Sequence, residues 1–230
     1  MLVRQLALNL PHRAAFGRDD FLVSESNAVA VSWIDRWPEW PNSAVLLVGP
    51  PGSGKSHLVE VWRQVSGARV VTGLGDGDAA ELLTSGALAV EDLPGEALDE
   101  RALFHLLNHA REFKAHVLLT AREHPQAWGV HLADLASRLM ALPAATIGPA
   151  DDALLRGVLL KLFSDRQISV DEALLSYLIS RMPRSLETAR FAVAEIDRLA
   201  LEERAEISRA FVARILPQVL GEAQLNLFIE

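Results

Sequence analysis

The sequence predicts an α/β domain, a parallel five-stranded sheet with helices on both faces, followed by an all-α domain. Three observations predict this fold class. Short apolar runs alternate with segments of helical periodicity as far as residue 148, a glycine-rich motif separates the first run from the helix after it, and no strand pattern follows Pro149. Strands that alternate with helices form parallel sheets that helices cover on both sides.

Five short apolar runs are the predicted strands, because each has the length of a buried strand and is bounded by turn residues. They are residues 43–49, 68–72, 87–92, 116–120 and 144–147. Apolar residues three and four positions apart predict the helices of this domain. These helices are expected at residues 27–37, 55–65, 78–83, 99–113 and 132–139.

Four more helices are predicted after the last strand, and three of them have a residue suited to start a helix, namely Asp151, Asp171 and Ser185. They are expected at residues 151–164, 171–181, 185–203 and 208–220. The resulting division has four parts. An extended lead-in covers residues 1–20, the α/β domain 21–148, the helical domain 149–220 and a tail 221–230.

Composition limits the possible functions. Half of the 230 residues are hydrophobic and 23% are charged, which is typical of a globular protein. The chain has no cysteine, which excludes a disulfide framework, a thiolate zinc site and a thiol nucleophile. No apolar run approaches the roughly 20 residues of a membrane span, and no secretory pattern begins the chain, so we expect a cytoplasmic protein without a membrane partner.

The charge balance argues against a free-standing nucleic-acid binder. The formal net charge is −8, whereas such proteins usually carry a basic balance or a basic stripe. Any contact with DNA is therefore expected to be local or to be made indirectly, through a partner.

One motif matches the phosphate-binding pattern G-x-x-x-x-G-K-[ST]. It comprises Gly49, Pro50, Pro51, Gly52, Ser53, Gly54, Lys55 and Ser56. Glycines let backbone N–H groups curl around phosphate oxygens, and the helix that follows points its positive end at them. Lys55 is expected to reach the β- and γ-phosphates, and the Ser56 hydroxyl to bind Mg²⁺.

Two acidic residues end the third predicted strand. Glu91 is in position to hold Mg²⁺ through a water, and Asp92 is in position to activate an attacking water. Magnesium sites in such folds more often have Asp in the first position, so the longer Glu91 predicts weak intrinsic hydrolysis. The alternative is that both acids merely end a strand.

The chain resembles the AAA+ family, and within it the DnaA-type replication initiators, over about residues 16–216. The stretch "GKSHL" (54–58) is similar to their phosphate loop, with His57 following the motif. The stretch "FLVSESN" is similar to the segment that lines their adenine pocket, which implies that Leu22 and Val23 contact the base. The resemblance implies an α/β AAA+ base with an all-α lid, and ADP or ATP with Mg²⁺ as cofactors.

Three further motifs match the family in the expected order. The stretch "LLTARE" is similar to the sensor I strand and implies that Thr120 lies near the γ-phosphate. "LADLASRL" resembles the stretch that carries the arginine finger, which would be Arg138, and "PRSLETA" resembles the sensor II helix, which puts Arg184 over the nucleotide. The alternatives are that both arginines are solvated surface charges, that Thr120 is an inert strand end and that His57 only packs.

The termini carry two similar peptides. Gln-Leu-x-Leu-x-Leu and Gln-Leu-x-Leu-Phe resemble the two common peptides that bind the sliding clamp of DNA polymerase. The residues concerned are Gln5, Leu6, Leu8, Leu10, Gln224, Leu225, Leu227 and Phe228. An extended segment can present alternate apolar side chains to surface pockets of a partner. The alternatives are that a tail docks on its own core, or that one tail holds a second copy of the chain in a homodimer.

The resemblance changes near the end of the chain. DnaA initiators continue into a DNA-binding domain, whereas this sequence stops at Glu230, so it resembles the short Hda-type regulators that switch DnaA off. This implies a negative regulator of replication initiation that docks on the DNA-loaded clamp and stimulates ATP hydrolysis by DnaA. The alternatives are an autonomous, helicase-loader-like ATPase and a clamp-tethered adaptor without a catalytic arginine.

Overall fold

The computed structural model describes residues 21–74, 79–95 and 98–227, without the side chains of the last four. The described chain divides at Asp151 into two compact units. The α/β unit ends there, and the helical unit begins at Asp152. Among the described residues, no helix is both long and apolar enough to cross a bilayer. The predicted clamp-binding peptide at Gln5–Leu10 lies outside the described residues.

The α/β unit contains the predicted parallel five-stranded sheet. Its strands are β1 (Ala44–Val48), β2 (Arg69–Thr72), β3 (Ala87–Leu93), β4 (His116–Ala121) and β5 (Ala144–Thr146). Their order across the sheet is β2-β3-β4-β1-β5. The first strand thus pairs with the fourth and fifth and not with the second, so the direction of winding reverses beside β1. Ligands of such sheets bind where the order reverses, at the carboxyl ends of the strands.

Side chains alternate across the sheet and build a core on each face. In β1, which is fully buried, Leu46 and Val48 face one core while Val45 and Leu47 face the other. The first core packs against α3 (Ala79–Leu82), α4 (Glu100–Glu112) and α5 (Ala133–Met140), and the second against α1 (Ala28–Asp35) and α2 (Lys55–Ser66). Burial on both faces explains the continuous apolar runs of the central strands β1, β3 and β4.

The helical unit contains α6 (Asp152–Ser164), α7 (Glu172–Ile179), α8 (Leu186–Glu203) and α9 (Arg209–Leu227). Asp171 and Ser185 cap α7 and α8 as predicted. The Asp171 carboxylate accepts a hydrogen bond from Leu174 N at 2.7 Å, and the Ser185 hydroxyl accepts one from Thr188 N at 3.2 Å. Such caps satisfy backbone donors that a helix leaves without intrahelical partners.

The last helix differs from the sequence prediction. The expected tail at 221–230 begins as a continuation of α9, which ends at Leu227. The extended conformation expected for Gln224, Leu225 and Leu227 is therefore wrong for this structure, and Phe228 lies outside the described residues. Binding of this peptide to the clamp stays a prediction. The physical reason is that the stretch "QVLGEAQLNL" is rich in helix-forming residues, whose summed propensity outweighs one glycine.

Candidate functional site

Three sequence-predicted sites meet at the carboxyl edge of the sheet. The phosphate loop follows β1, Thr120 lies near the end of the neighbouring β4, and Glu91 and Asp92 lie near the end of β3 beyond it. The register of the parallel strands sets Leu47 opposite Thr120. The sheet therefore brings the predicted lysine, sensor threonine and acidic pair to one edge.

Glycine conformation shapes the phosphate loop. Gly52 has φ +70° and Gly54 has φ +100°, both in the left-handed region that side chains disfavour. Gly49 is restricted for another reason. A Cβ there would lie 2.7 Å from the carbonyl oxygen of Ile147 and 2.8 Å from Ser53 Oγ. The loop therefore depends on glycine at Gly49 for its packing against Ile147, and at Gly52 and Gly54 for its backbone conformation.

Lys55 is folded into this loop. Its Nζ donates hydrogen bonds to the carbonyl oxygens of Gly49 at 2.8 Å and Pro50 at 3.0 Å, and the residue is 7% exposed. The buried Ser53 Oγ has no hydrogen-bond partner among the described residues. A buried ammonium group and a free hydroxyl beside the positive end of α2 are groups that phosphate oxygens would satisfy. The residues present therefore fit a polyphosphate, and Ser56 is exposed at the start of the helix.

A bulge in β3 orients the acidic pair. The register of β3 against β4 shifts between Val90 and Leu93, and Asp92 has φ +57°. The backbone N–H of Asp92 donates a hydrogen bond to Thr120 Oγ1 at 3.1 Å. Within the described part of the chain, the buried Glu91 Oε1 accepts no hydrogen bond. A carboxylate oxygen left in this state suits a water-mediated Mg²⁺ contact, since this ion prefers oxygen ligands and keeps several waters.

The segment predicted to contact adenine lies beside the phosphate loop. Phe21 meets His57 edge to face with ring centroids 5.0 Å apart, and the Ser26 carbonyl accepts a hydrogen bond from Gly148 N at 2.9 Å. The buried Asn27 donates to the Leu22 carbonyl at 3.0 Å, which fixes the turn before α1. His57 thus packs against Phe21, as expected if its role is packing. The contact of Leu22 and Val23 with a base stays a prediction.

Arg138 lies near the amino ends of the strands, opposite the carboxyl edge that holds the phosphate loop. Asn42, just before β1, donates from Nδ2 to the Ala141 carbonyl at 3.2 Å, and Arg138 is one helical turn before Ala141. The edge where β1 begins is separated from the phosphate loop by the length of that strand, about 16 Å for five residues. The Arg138 guanidinium is half-buried and lies over the Phe104 ring at 5.0 Å.

Glu100 holds the other end of α5, a role that the sequence did not predict. Its carboxylate accepts hydrogen bonds from the backbone N–H groups of His131 at 2.9 Å and Leu132 at 2.6 Å. These donors, together with the His131 side chain, lower the pKa of Glu100. Glu100 is 31 positions from His131 and 32 from Leu132, so no local sequence pattern predicts these contacts. Glu100 and Phe104 thus fix both ends of the helix that carries Arg138.

Arg184 lies in the helical unit, where its guanidinium pairs with the Asp152 carboxylate. Asp152 is thus a partner that the sequence analysis missed, since the two residues are 32 positions apart. The predicted contact between Arg184 and a nucleotide stays a prediction.

Solved structures share the fold. Domain III of the replication initiation protein DnaA from Thermotoga maritima matches with a TM-score of 0.74 at 16% identity, over 89% of this chain and 97% of that chain. AMPPCP-bound DnaA from Aquifex aeolicus matches with a TM-score of 0.64 at 18% identity, over 81% and 68%. The Holliday junction branch migration motor RuvB from Thermotoga maritima matches with a TM-score of 0.67 at 17% identity, over 88% of this chain and 72% of that chain.

These comparisons establish the fold. No model of a protein family matches the sequence, and the comparison with curated proteins found no match. The structural likeness, at identities below one in five residues, still covers most of this chain. The fold is therefore the one that DnaA domain III and RuvB share, with the predicted parallel sheet followed by helices.

The close approach at Gly49 generates the first prediction. Gly49→Ala should lower the free energy of unfolding by about 1–3 kcal/mol, because the new methyl group overlaps buried atoms that have little room to move. The same variant should lose binding of a fluorescent ADP analogue. Urea unfolding followed by circular dichroism, and a fluorescence titration, measure the two effects.

Gly221→Ala is the matched control. Gly221 lies in α9, and a Cβ there would meet no atom within 4 Å. The control should be neutral or stabilising by up to about 1 kcal/mol. Equal behaviour of the two alanine variants would show that the loop tolerates the extra methyl group.

The second prediction concerns Glu100. A carboxylate whose pKa is lowered by folding stabilises the folded state above its unfolded pKa, and this contribution disappears as the pH falls through its folded pKa. Glu100→Ala should therefore be less stable than the wild type at about pH 7, and the difference should shrink towards about pH 3. Glu112→Ala, on the same helix at a 69% exposed carboxylate, is the control. A pH-independent difference for Glu100→Ala would contradict the capping role.

Proposed function

We propose that this protein is a negative regulator of replication initiation that acts on DnaA. It binds an adenine nucleotide at the phosphate loop and docks on the DNA-loaded sliding clamp through Gln5, Leu6, Leu8 and Leu10. It then stimulates hydrolysis of the ATP that DnaA carries, through Arg138. The site of action is the cytoplasm, and DNA is contacted indirectly, through the clamp.

The position of Arg138 is the observation that carries the proposal. It lies on the edge of the sheet where β1 begins, whereas the phosphate loop of the same chain follows the end of β1. The separation of Arg138 from its own nucleotide site by the length of a strand supports a role on a nucleotide that another molecule holds. A guanidinium beside the γ-phosphate stabilises the charge that develops during phosphoryl transfer.

The chain's own nucleotide has a mainly structural role in this proposal, and ADP is the working form. Lys55 and the loop glycines hold its phosphates, with Leu22 and Val23 at the base. The fold likeness to AMPPCP-bound DnaA supports a nucleotide at this position. Mg²⁺, held near Ser56 and Glu91, neutralises phosphate charge when bound.

The central experiment measures single-turnover conversion of DnaA-bound ATP to ADP in the presence of clamp-loaded DNA. The wild type should accelerate it, and Arg138→Ala should lose about 10³-fold or more of the acceleration, the magnitude typical of an arginine finger. The Arg138→Ala variant should still bind the clamp. Gln5→Ala/Leu6→Ala should fail to bind the clamp and should lose the acceleration only at low protein concentration.

Two outcomes would contradict the proposal. If Arg138→Ala retained full acceleration, the protein would be an adaptor that acts through tethering. If the wild type neither bound the clamp nor accelerated hydrolysis, its partner would be another protein.

An autonomous ATPase is the second candidate, and the assembled edge favours it. Thr120, Asp92 and Glu91 lie together beside the phosphate loop, with the Asp92 backbone bound to the threonine. Steady ATP turnover by the isolated protein, abolished in Asp92→Ala and Lys55→Ala, would support this function. Asp99→Ala, which removes the cap of α4 and no group at this edge, is the control. Under the regulator proposal we expect the isolated protein to turn over ATP only slowly.

A further inference from the structure

A cavity of about 450 Å³ adjoins Arg138 at the edge of the sheet where β1 begins. Its volume is within the range of small-molecule sites. Two arginines and several uncharged residues line it, among them Asn42, Ser43, Leu107, Arg111, Arg138 and Leu142. The second arginine, Arg111, lies in the last turn of α4 and was not singled out by any sequence motif.

The cavity is positively charged and has no internal counter-charge. Neither Arg111 nor Arg138 forms an ion pair with a carboxylate in the part of the chain that the structure describes. Two guanidinium groups on one cavity give it a positive potential that favours an anion. A guanidinium fork matches phosphate oxygens with two parallel hydrogen bonds, so a phosphate is the fitting anion.

The surroundings favour an anion that a protein presents. Phe113 is 56% exposed and follows Arg111 by two residues, and Met140 is 55% exposed and follows Arg138 by two residues. Neither apolar side chain lines the cavity, but each lies on or directly after a helix that contributes an arginine to it. Exposed Phe, Met and Arg side chains are enriched at protein interfaces. The phosphate loop of this chain is at the other edge of the sheet, so its own nucleotide is out of reach.

We infer that Arg111 is a second phosphate-binding residue, which acts with Arg138 to clamp the terminal phosphates of a nucleotide held by a partner protein. This inference rests on the proposed function and adds the cavity as the place where the partner's nucleotide enters. Asn42 and Ser43 supply uncharged polar groups on its wall. The two arginines differ in their surroundings. The Arg138 guanidinium is held over the Phe104 ring, whereas Arg111 is exposed.

The test compares Arg111→Ala, Arg111→Lys and Arg138→Ala in the assay of DnaA-bound ATP conversion on clamp-loaded DNA. Arg111→Ala should lower the maximal rate at saturating protein by about tenfold, the effect of losing a hydrogen bond to a charged group. Arg111→Lys should lose less, because it keeps the charge without the two-pronged geometry. A residue that only shapes the interface would instead raise the concentration for half-maximal rate.

Arg101→Ala is the matched control, since it removes one exposed arginine from the same helix, about 15 Å from Arg111. It should behave as the wild type. Thermal unfolding of Arg111→Ala should also match the wild type, because an exposed side chain contributes little to stability. If Arg111→Ala reaches the wild-type maximal rate while Arg138→Ala does not, the inference is overturned and the proposed function stands.

Two further outcomes also decide. If the wild type itself gives no acceleration, the proposed function fails and this inference fails with it. If Arg111→Ala weakens binding of the isolated protein to a fluorescent DNA duplex and leaves the maximal hydrolysis rate unchanged, DNA phosphates are the anion, and the inference is overturned. Loss of the maximal rate without loss of duplex binding supports the nucleotide clamp.

Discussion

The pairing of β1 with β4 is the constraint on which both edges of the sheet depend. The register joins Ala44 with Val117 at one end and Val48 with Ala121 at the other, and Gly49 N extends it by donating to the Ala121 carbonyl at 3.0 Å. At the carboxyl end this pairing sets the phosphate loop beside Thr120. At the amino end it fixes where the chain enters β1, and hence where Asn42 meets α5.

The features that the sequence predicted are those encoded by local patterns. The phosphate loop and the strands are examples, since each is a short stretch whose residue types match one backbone geometry. The strand order, the bulge at Asp92 and the partner of Arg138 depend on pairs distant in sequence, which local patterns do not encode. The extended conformation expected for the last residues of α9 was wrong for another reason. Leucines at alternate positions are also compatible with a helix, and the helix propensity of the surrounding residues is high.

One face of α4 supports the arginine edge. Glu100, Phe104, Leu107 and Arg111 are spaced four, three and four positions apart, which aligns them along a single side of the helix. The Glu100 carboxylate accepts hydrogen bonds from backbone N–H groups before α5, and the Phe104 ring lies under the Arg138 guanidinium. The other two side chains line the cavity. A single helix therefore determines both the position of α5 and the charge beside it.

The separation of the two edges gives the molecule a polarity. A contact between the arginine edge of one molecule and the nucleotide edge of another joins unlike surfaces, so it has a direction and lacks two-fold symmetry. Such a contact leaves a nucleotide edge free on one molecule and an arginine edge free on the other. In the proposed complex this protein occupies the end where its arginines face DnaA, and its own phosphate loop points away from the shared interface. In this complex, the nucleotide that is hydrolysed is the one whose edge faces the arginines of the other molecule. The relative affinities of the two proteins for nucleotide do not decide it.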